Sequence, residues 1–404
     1  MRAAKLMICL AAVAILAAGC EKDNGTGKNG SGKSNVKIDT TGLTVNGKFP
    51  IIAWTGINSD ETATKFTPMK QCGINVYLGW YDTLNEVTTA LDNAQKAGVK
   101  LIIKSNELTS STESTVKKMM NHPALFGYHI KDEPEVSDFS TLSSIVNSIE
   151  AVDQSHFCYI NLYPNWAWGN VDDYMSKLTS FLSTVHMKFL SFDHYPVREI
   201  NGVSSLRPEW YKNLEDIRKV SRARGIPFWA FGLALSHKLD NVLYPVPTVG
   251  ELRLQMFSNL AYGAQGFQYF TYWGIYQSVP TQVYSRVQTV NKSLQKLAKI
   301  FLGADVTDVW HTGESIPYGT KQLKTMPDGI SSLKTGETGA VVSRVVKDNE
   351  VYIAIVNKDY QNKMTLDIAF TSAATAYDNE GYKSEAESGS YTMDPGDIII
   401  FQIQ

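Results

Sequence analysis

Three things are scarce in this chain, and each scarcity closes off a class of protein. Excess charge is the first: 38 Lys and Arg against 40 Asp and Glu leave a net charge of −2. A nucleic-acid partner needs a clustered basic face to meet its phosphates, so none is expected. Cysteine is scarcer still, at four residues. Cys9 and Cys20 fall in an N-terminal segment, which leaves only Cys72 and Cys158, each inside an apolar stretch. Two lone thiols make neither a disulfide framework nor a metal site, and they read as buried side chains. Third, there is no glycine-rich phosphate loop and no His/Asp/Glu spacing of the metal-binding kind, so no cofactor and no metal are expected.

The N-terminal apolar run, "LMICLAAVAILAA", is too short to cross a membrane comfortably as a helix. With Arg2 and Lys5 before it and the small residues of "LAAGC" after it, residues 1–20 resemble a bacterial lipoprotein signal peptide with its lipobox. Cys20 would then carry the lipid, and the polar residues 21–36 would form a flexible tether. The expectation is an exported protein, lipid-anchored at the outer membrane or surface of a bacterial envelope and touching the membrane through that anchor alone.

Aromatic residues, by contrast, are plentiful, with 20 Tyr and 8 Trp. From residue 49 onward short apolar runs alternate with helical periodicity, the sign of repeated βα units. The runs begin at "IIAWTGI" (51–57), "INVYLGW" (74–80), "KLIIKS" (100–105) and "LFGYHIK" (125–131). Four more follow: "FCYINLY" (157–163), "KFLSFDHY" (188–195), "PFWAFGLAL" (227–235) and "FQYFTYW" (267–273). The glycines of "QCGIN", "KAGVK", "ARGIP" and "AQGFQ" sit where left-handed helix C-caps belong. Eight strands, each followed by a helix, predict an α/β fold, a (β/α)8 or TIM barrel over residues 37–305; a doubly wound open sheet rarely needs eight regular units. A leading β-hairpin, "VKIDTTGLTVNGKFP", carries an Asn-Gly turn and should cover the barrel's base. Residues 306–404 switch to short β-branched runs between turns, which predicts a C-terminal antiparallel β-sandwich.

In such a barrel the chemistry sits at the C-terminal ends of the strands. Strand four ends in "KDEPE", residues 131–135. Alternation places Gly127, His129, Lys131 and Glu133 toward the barrel axis, with Phe126, Tyr128 and Ile130 toward the helices and Asp132 turned away from the mouth. Pro134 should keep Glu133 extended and aimed along the strand's exit. In strand six Ser191, Asp193 and Tyr195 face inward, and in strand five Tyr159, Asn161 and Tyr163 do so. Glu133 and Asp193 thus become candidate catalytic carboxylates in one mouth. Burial and mutual repulsion can drive their proton affinities apart, so that one donates a proton while the other stays ionised. Asp132 or Glu135 could instead serve the helix that starts near Asp138. His194 reads more readily as a satisfied barrel histidine than as a proton carrier.

Trp54, Trp80, Trp166, Trp168, Tyr272 and Trp273 all fall at or just beyond strand ends. Flat rings beside the polar groups of Asn58, Tyr163 and Asn165 suit a sugar, whose faces carry C–H and whose edges carry O–H. His194 and Tyr195, flanking Asp193, join Asp132 as candidate substrate contacts.

With a glutamate-proline pair ending strand four, the chain resembles the clan A glycoside hydrolases, including their β-galactosidase-like members. "LTVNGKFPIIAWTGIN" and "YGAQGFQYFTYWG" look like that clan's entrance and last strands. The resemblance implies a (β/α)8 enzyme of carbohydrate metabolism in which Glu133 is the acid/base. Two positions depart from the pattern: Asp132 stands where the clan has asparagine, and strand seven, "PFWAFGLALSH", offers no acid before Asp240. The clan's nucleophile therefore has no counterpart, and Asp193 is the best substitute. Strands four and six lie on the order of 10 Å apart, which leaves both the retaining and the inverting separation open. The expected activity is hydrolysis of a glycosidic bond in a carbohydrate substrate. A non-catalytic glycan-binding lipoprotein on a degenerate barrel is the alternative, and a lyase on another polar substrate is a third possibility.

Overall fold

A computed structural model describes residues 36–239 and 241–404. The proposed signal peptide, Cys20 and nearly all of the tether lie outside the described residues, as does Asp240. All eight expected strands form: β1 (Ile51–Trp54), β2 (Val76–Tyr81), β3 (Lys100–Ser105) and β4 (Leu125–Asp132), then β5 (Phe157–Asn161), β6 (Leu190–Phe192), β7 (Phe228–Leu233) and β8 (Gly266–Phe270). They run parallel in chain order, with β8 pairing back to β1. A single parallel bridge between Leu162 and Phe192 joins β5 to β6 and closes the ring.

Helices follow the strands where periodicity puts them. Leu84–Ala97 opens on a reciprocal Thr83/Glu86 cap and stops at Gly98, whose φ of +69° satisfies the last turn. Gly225 ends Trp210–Arg224 in the same way. Gly266 does not follow suit: it lies within β8 against Trp229, and the left-handed residue before β8 is Gly263.

The barrel interior is filled in layers. Leu43 and Val45 plug the base, where Asn46 and Gly47 at φ +52° and +73° make the expected tight turn. The leading segment is shorter than a full hairpin, with one Val45–Lys48 bridge among the described residues. Above it, Phe189 and Trp229 stack at 4.1 Å and meet Phe157. The next layer is polar: the Tyr159 hydroxyl donates to Gln268 Oε1 at 2.7 Å, and Gln268 Nε2 donates to Ser191 Oγ at 2.8 Å.

The C-terminal sandwich has a six-stranded sheet and a three-stranded sheet (Ile330–Lys334, Met364–Phe370, Gly389–Met393). Along Ala340–Lys347 the side chains alternate: Val341 and Val345 pack on the barrel's helices, while Val342 fills the sandwich core with Ile353 and Phe401. Arg222 ties the two layers together, donating to both Asp305 oxygens at 2.7 and 2.9 Å.

Candidate active site

Two irregularities in β4 decide how the site is built. Pairing with β3 slips between Leu101 and Ile102, and pairing with β5 slips between His129 and Lys131. Each bulge shifts the side-chain alternation by one residue. The first turns Phe126 into the barrel interior rather than toward the helices. The second puts Lys131 in solvent and turns Asp132 inward, level with Asn161 of β5. Asp132 therefore points into the mouth, against the simple alternation. Glu133 is not extended either. Its φ is +47°, a left-handed conformation that costs a non-glycine residue about 1–2 kcal/mol. Pro134 closes off the right-handed helical region, and the chain turns through the left-handed one instead. Glu135, not Asp132, serves the following helix, its N–H donating to Asp138 Oδ2 at 3.0 Å.

Asp132 and Asp193 converge on the Asn161 side chain, and the Glu133 N–H donates to the Asn161 carbonyl at 2.8 Å. Ser191 donates to Asn161 Oδ1 at 2.9 Å, which fixes the amide's orientation. Asn161 Nδ2 must then face the acids, donating to Asp132 Oδ1 at 3.2 Å and to Asp193 Oδ1 at 3.0 Å. Two acceptors on one planar NH2 lie on the order of 5 Å apart. The Tyr195 hydroxyl faces Asp193 and favours its anion. Burial, and then the Asp132 charge, push Glu133 up to about 7. Burial also raises Asp132, against the pull of Asn161 and Lys104. Asp193 is raised by burial and by both neighbouring carboxylates, while Asn161 and Tyr195 oppose the shift. Because Asn161 is the only spacer between two acids, Asn161→Asp should destabilise the fold by on the order of 3 kcal/mol at neutral pH. The loss should shrink at pH 5, where protonation relieves the repulsion, and urea unfolding at the two pH values checks this.

The carboxylates floor a pocket of about 240 Å³ lined by Glu133, Tyr163, Trp166, Asp193, His194, Tyr195, His237 and Tyr244. Its far wall is a four-stranded sheet made by two insertions, Val197–Ile200 with Val203–Leu206 and His237–Leu239 with Val242–Tyr244. His237 and Tyr244 stack there at 4.6 Å, their planes almost parallel. Arg207 donates to the Tyr244 hydroxyl from Nε and Nη2 at 3.0 and 2.8 Å, and its guanidinium lies 4.0 Å from the Trp166 ring centre. The sequence reading missed His237, Arg207 and Tyr244. The Asn201-Gly202 turn, with φ of +53° and +78°, was a readable hairpin signal for the first insertion.

The remaining candidates are distributed. His194 lines the pocket with its Nδ1 3.0 Å from Asn213 Oδ1, and burial lowers it to about 3, so it is neutral. Trp54 is buried under the mouth, edge-on to His129 at 5.4 Å. His129, lowered to about 3 by burial, has no partner for either nitrogen among the described residues. Trp80, 47% exposed, lies over Lys104 and, with Asn58, borders a separate depression of about 360 Å³ on the β2 side. Trp273 is exposed at the β8 rim beside Lys65. Three expectations fail for one reason, burial in the scaffold. Asn165 is fully buried and bonds Asn213 and the Glu209 carbonyl; Tyr272 is in the core with its hydroxyl on the Lys65 carbonyl; Trp168 packs between Phe139 and Tyr174. β7 shows only Trp229 and Phe231 to the interior.

The fold and site together define a TIM barrel with a C-terminal β-sandwich and a cluster of strand-end carboxylates. No family profile matches the sequence, and no curated protein matches it. Solved structures do share the fold. A candidate alpha-galactosidase from Bacteroides fragilis superposes with a TM-score of 0.52 at 10% identity, over 88% of this chain and 79% of that one. An alpha-L-arabinofuranosidase from Thermotoga maritima gives 0.47 at 9% identity, over 92% and 98%. An endo-1,4-beta-mannanase from Eisenia fetida gives 0.40 at 10% identity, over 62% and 92%. The first of these superpositions shows that the fold is shared with a solved structure.

Proposed function

We propose that this chain is a glycoside hydrolase in which Glu133 donates the proton to the leaving oxygen and Asp193 acts from the other side. The observation that carries this reading is that Glu133 and Asp193 line one aromatic-walled pocket while Asp132 and Asp193 share the Asn161 amide beneath it. Both acids are raised, Asp193 by burial and by the Glu133 and Asp132 charges, Glu133 by burial and by the Asp132 charge, so the cluster holds a shared proton. We place that proton on Glu133, since Asn161 donates to Asp193. Asp193, ionised, either attacks the anomeric carbon or removes a proton from an attacking water. In both cases the bond from that carbon to the leaving oxygen breaks, and that oxygen takes the Glu133 proton. Asp132 supplies the charge that keeps Glu133 protonated, and it can also accept a sugar hydroxyl.

At about 240 Å³ the pocket is at the small end of ligand sites. It suits a single ring beside Trp166, so release of one terminal sugar at a time is the expected mode. A proton donor raised to about 7 works below that value, so activity should fall as pH rises through about 7. A panel of aryl glycosides and oligosaccharides, assayed between pH 4 and 9, tests the proposal. Release of single sugars with an alkaline limb near 7 supports it. Binding of glycans without cleavage anywhere on the panel would replace it with the glycan-binding reading. Proton NMR of the first-formed anomer decides whether Asp193 is nucleophile or base.

A further inference from the structure

A large groove lies at the opposite end of the barrel from the mouth. Lys48 and Phe49, which precede β1, form one side, and the helix Tyr284–Phe301 forms another; its C-terminal end reaches the N-terminal side of the strands. The sandwich supplies the third side through Lys347, Tyr352, Tyr377 and Lys383. The groove encloses about 1080 Å³.

Its charge is at odds with the chain's balance of −2. Lys48, Lys292, Lys296, Lys299, Lys347 and Lys383 line it, against one carboxylate, Glu380. Glu380 is taken by Lys296, and Lys347 is held by the Lys299 carbonyl. Among the described residues Lys48, Lys292 and Lys299 form no ion pair, although Glu380 feels the Lys292 charge. Lysines on a convex helix face are commonly just solvated. Here they line a hollow, where like charges reinforce one another and raise the local concentration of anions. Aromatic rings are interleaved with them: Lys383 Nζ lies 5.1 Å from the Tyr377 ring centre, and Lys296 Nζ lies 5.4 Å from that of Tyr382, which is 70% exposed.

We infer that this groove binds an acidic polysaccharide, one carrying carboxylates or sulfates, at a site separate from the catalytic mouth. Ammonium groups on flexible stems suit the irregular spacing of anions along a glycan, and the tyrosine rings offer stacking faces for its sugars. A flat membrane surface would leave the hollow unfilled. The choice of a glycan among polyanions rests on the glycosidase reading, but binding is measured independently of cleavage.

The test is calorimetric titration of the full chain with polygalacturonate, with neutral dextran and phosphatidylglycerol vesicles as comparisons. The parent should bind polygalacturonate and not dextran, and added salt should weaken that binding. A Lys48→Ser/Lys292→Ser/Lys299→Ser variant, altered only at exposed side chains, should lose about tenfold or more in affinity. Tyr382→Ala should lose several-fold, and both variants should release sugar from a small aryl glycoside as the parent does. No binding of polygalacturonate by the parent, equal binding by parent and triple variant, or binding confined to the vesicles would each overturn the inference. Retained polygalacturonate binding in a chain that cleaves nothing would leave the groove in place and remove only the glycosidase reading.

Discussion

Glu133→Gln should lower kcat/KM by about 10²–10⁴-fold on substrates with poor leaving groups, the usual contribution of a positioned proton donor. The amide fills the same space and cannot release a proton. The loss should nearly vanish on a dinitrophenyl glycoside, whose leaving group departs without protonation. That dependence separates a lost acid from a damaged fold. Stability should hold or rise, because the change removes a carboxyl held near Asp132 and Asp193 where burial already disfavours its ionisation. Asp132→Asn supplies the complementary result. The Asp132 charge is one of the two causes that raise Glu133, so removing it should move the alkaline limb below about 7 while leaving the burial contribution in place. An unmoved limb, or equal losses on all leaving groups, would take the acid role away from Glu133.

Asp193→Asn should be the more severe change, at on the order of 10⁴-fold or more in kcat, or about 5 kcal/mol of transition-state stabilisation. A nucleophile or base is needed whatever the leaving group, so the dinitrophenyl substrate should not rescue the variant. The substitution also leaves Asn161 Nδ2 and the Tyr195 hydroxyl facing an amide instead of an anion. Substrate binding should change far less than turnover, since the ring-stacking walls are untouched. If Asn161 and Tyr195 hold Asp193 merely as a structural hydrogen-bonded group, Asp193→Asn will lower the melting temperature and spare kcat. Recovery of turnover by added azide, with a glycosyl azide as product, would identify Asp193 as nucleophile, because a small anion can occupy the space the missing charge leaves.

Much of this was legible along the chain. Apolar runs of six to nine residues between amphipathic helices announced a barrel, since burial on both faces writes itself directly into composition. The inward set of β6, Ser191 and Asp193, was readable because that strand is regular. β4 was not, and the difference is physical. A bulge changes the count of residues between pairing partners without changing which residues are apolar, so the alternation of "LFGYHIKDEP" looks intact while Phe126, Lys131 and Asp132 have switched faces. That switch brings Asp132 into the mouth and turns the expected pair of carboxylates into a group of three. The aromatic rim fared unevenly for a related reason. A ring beyond a strand end can face the mouth, as Trp166 does, or the helix layer, as Trp168 does, and residue type alone carries no direction.

The chain by itself determined the elements, their order, the break at the sandwich and the two acids at the ends of strands four and six. Those depend on local composition and on turn chemistry, which neighbouring residues settle among themselves. Only the tertiary structure decided which acids meet, that Asn161 holds Asp132 and Asp193 apart, and that one late insertion supplies His237 and Tyr244 to wall the pocket. Each of these is a contact between segments tens of residues apart. Such contacts form when strand register, bulges and barrel closure are resolved together, and no window of sequence contains that information.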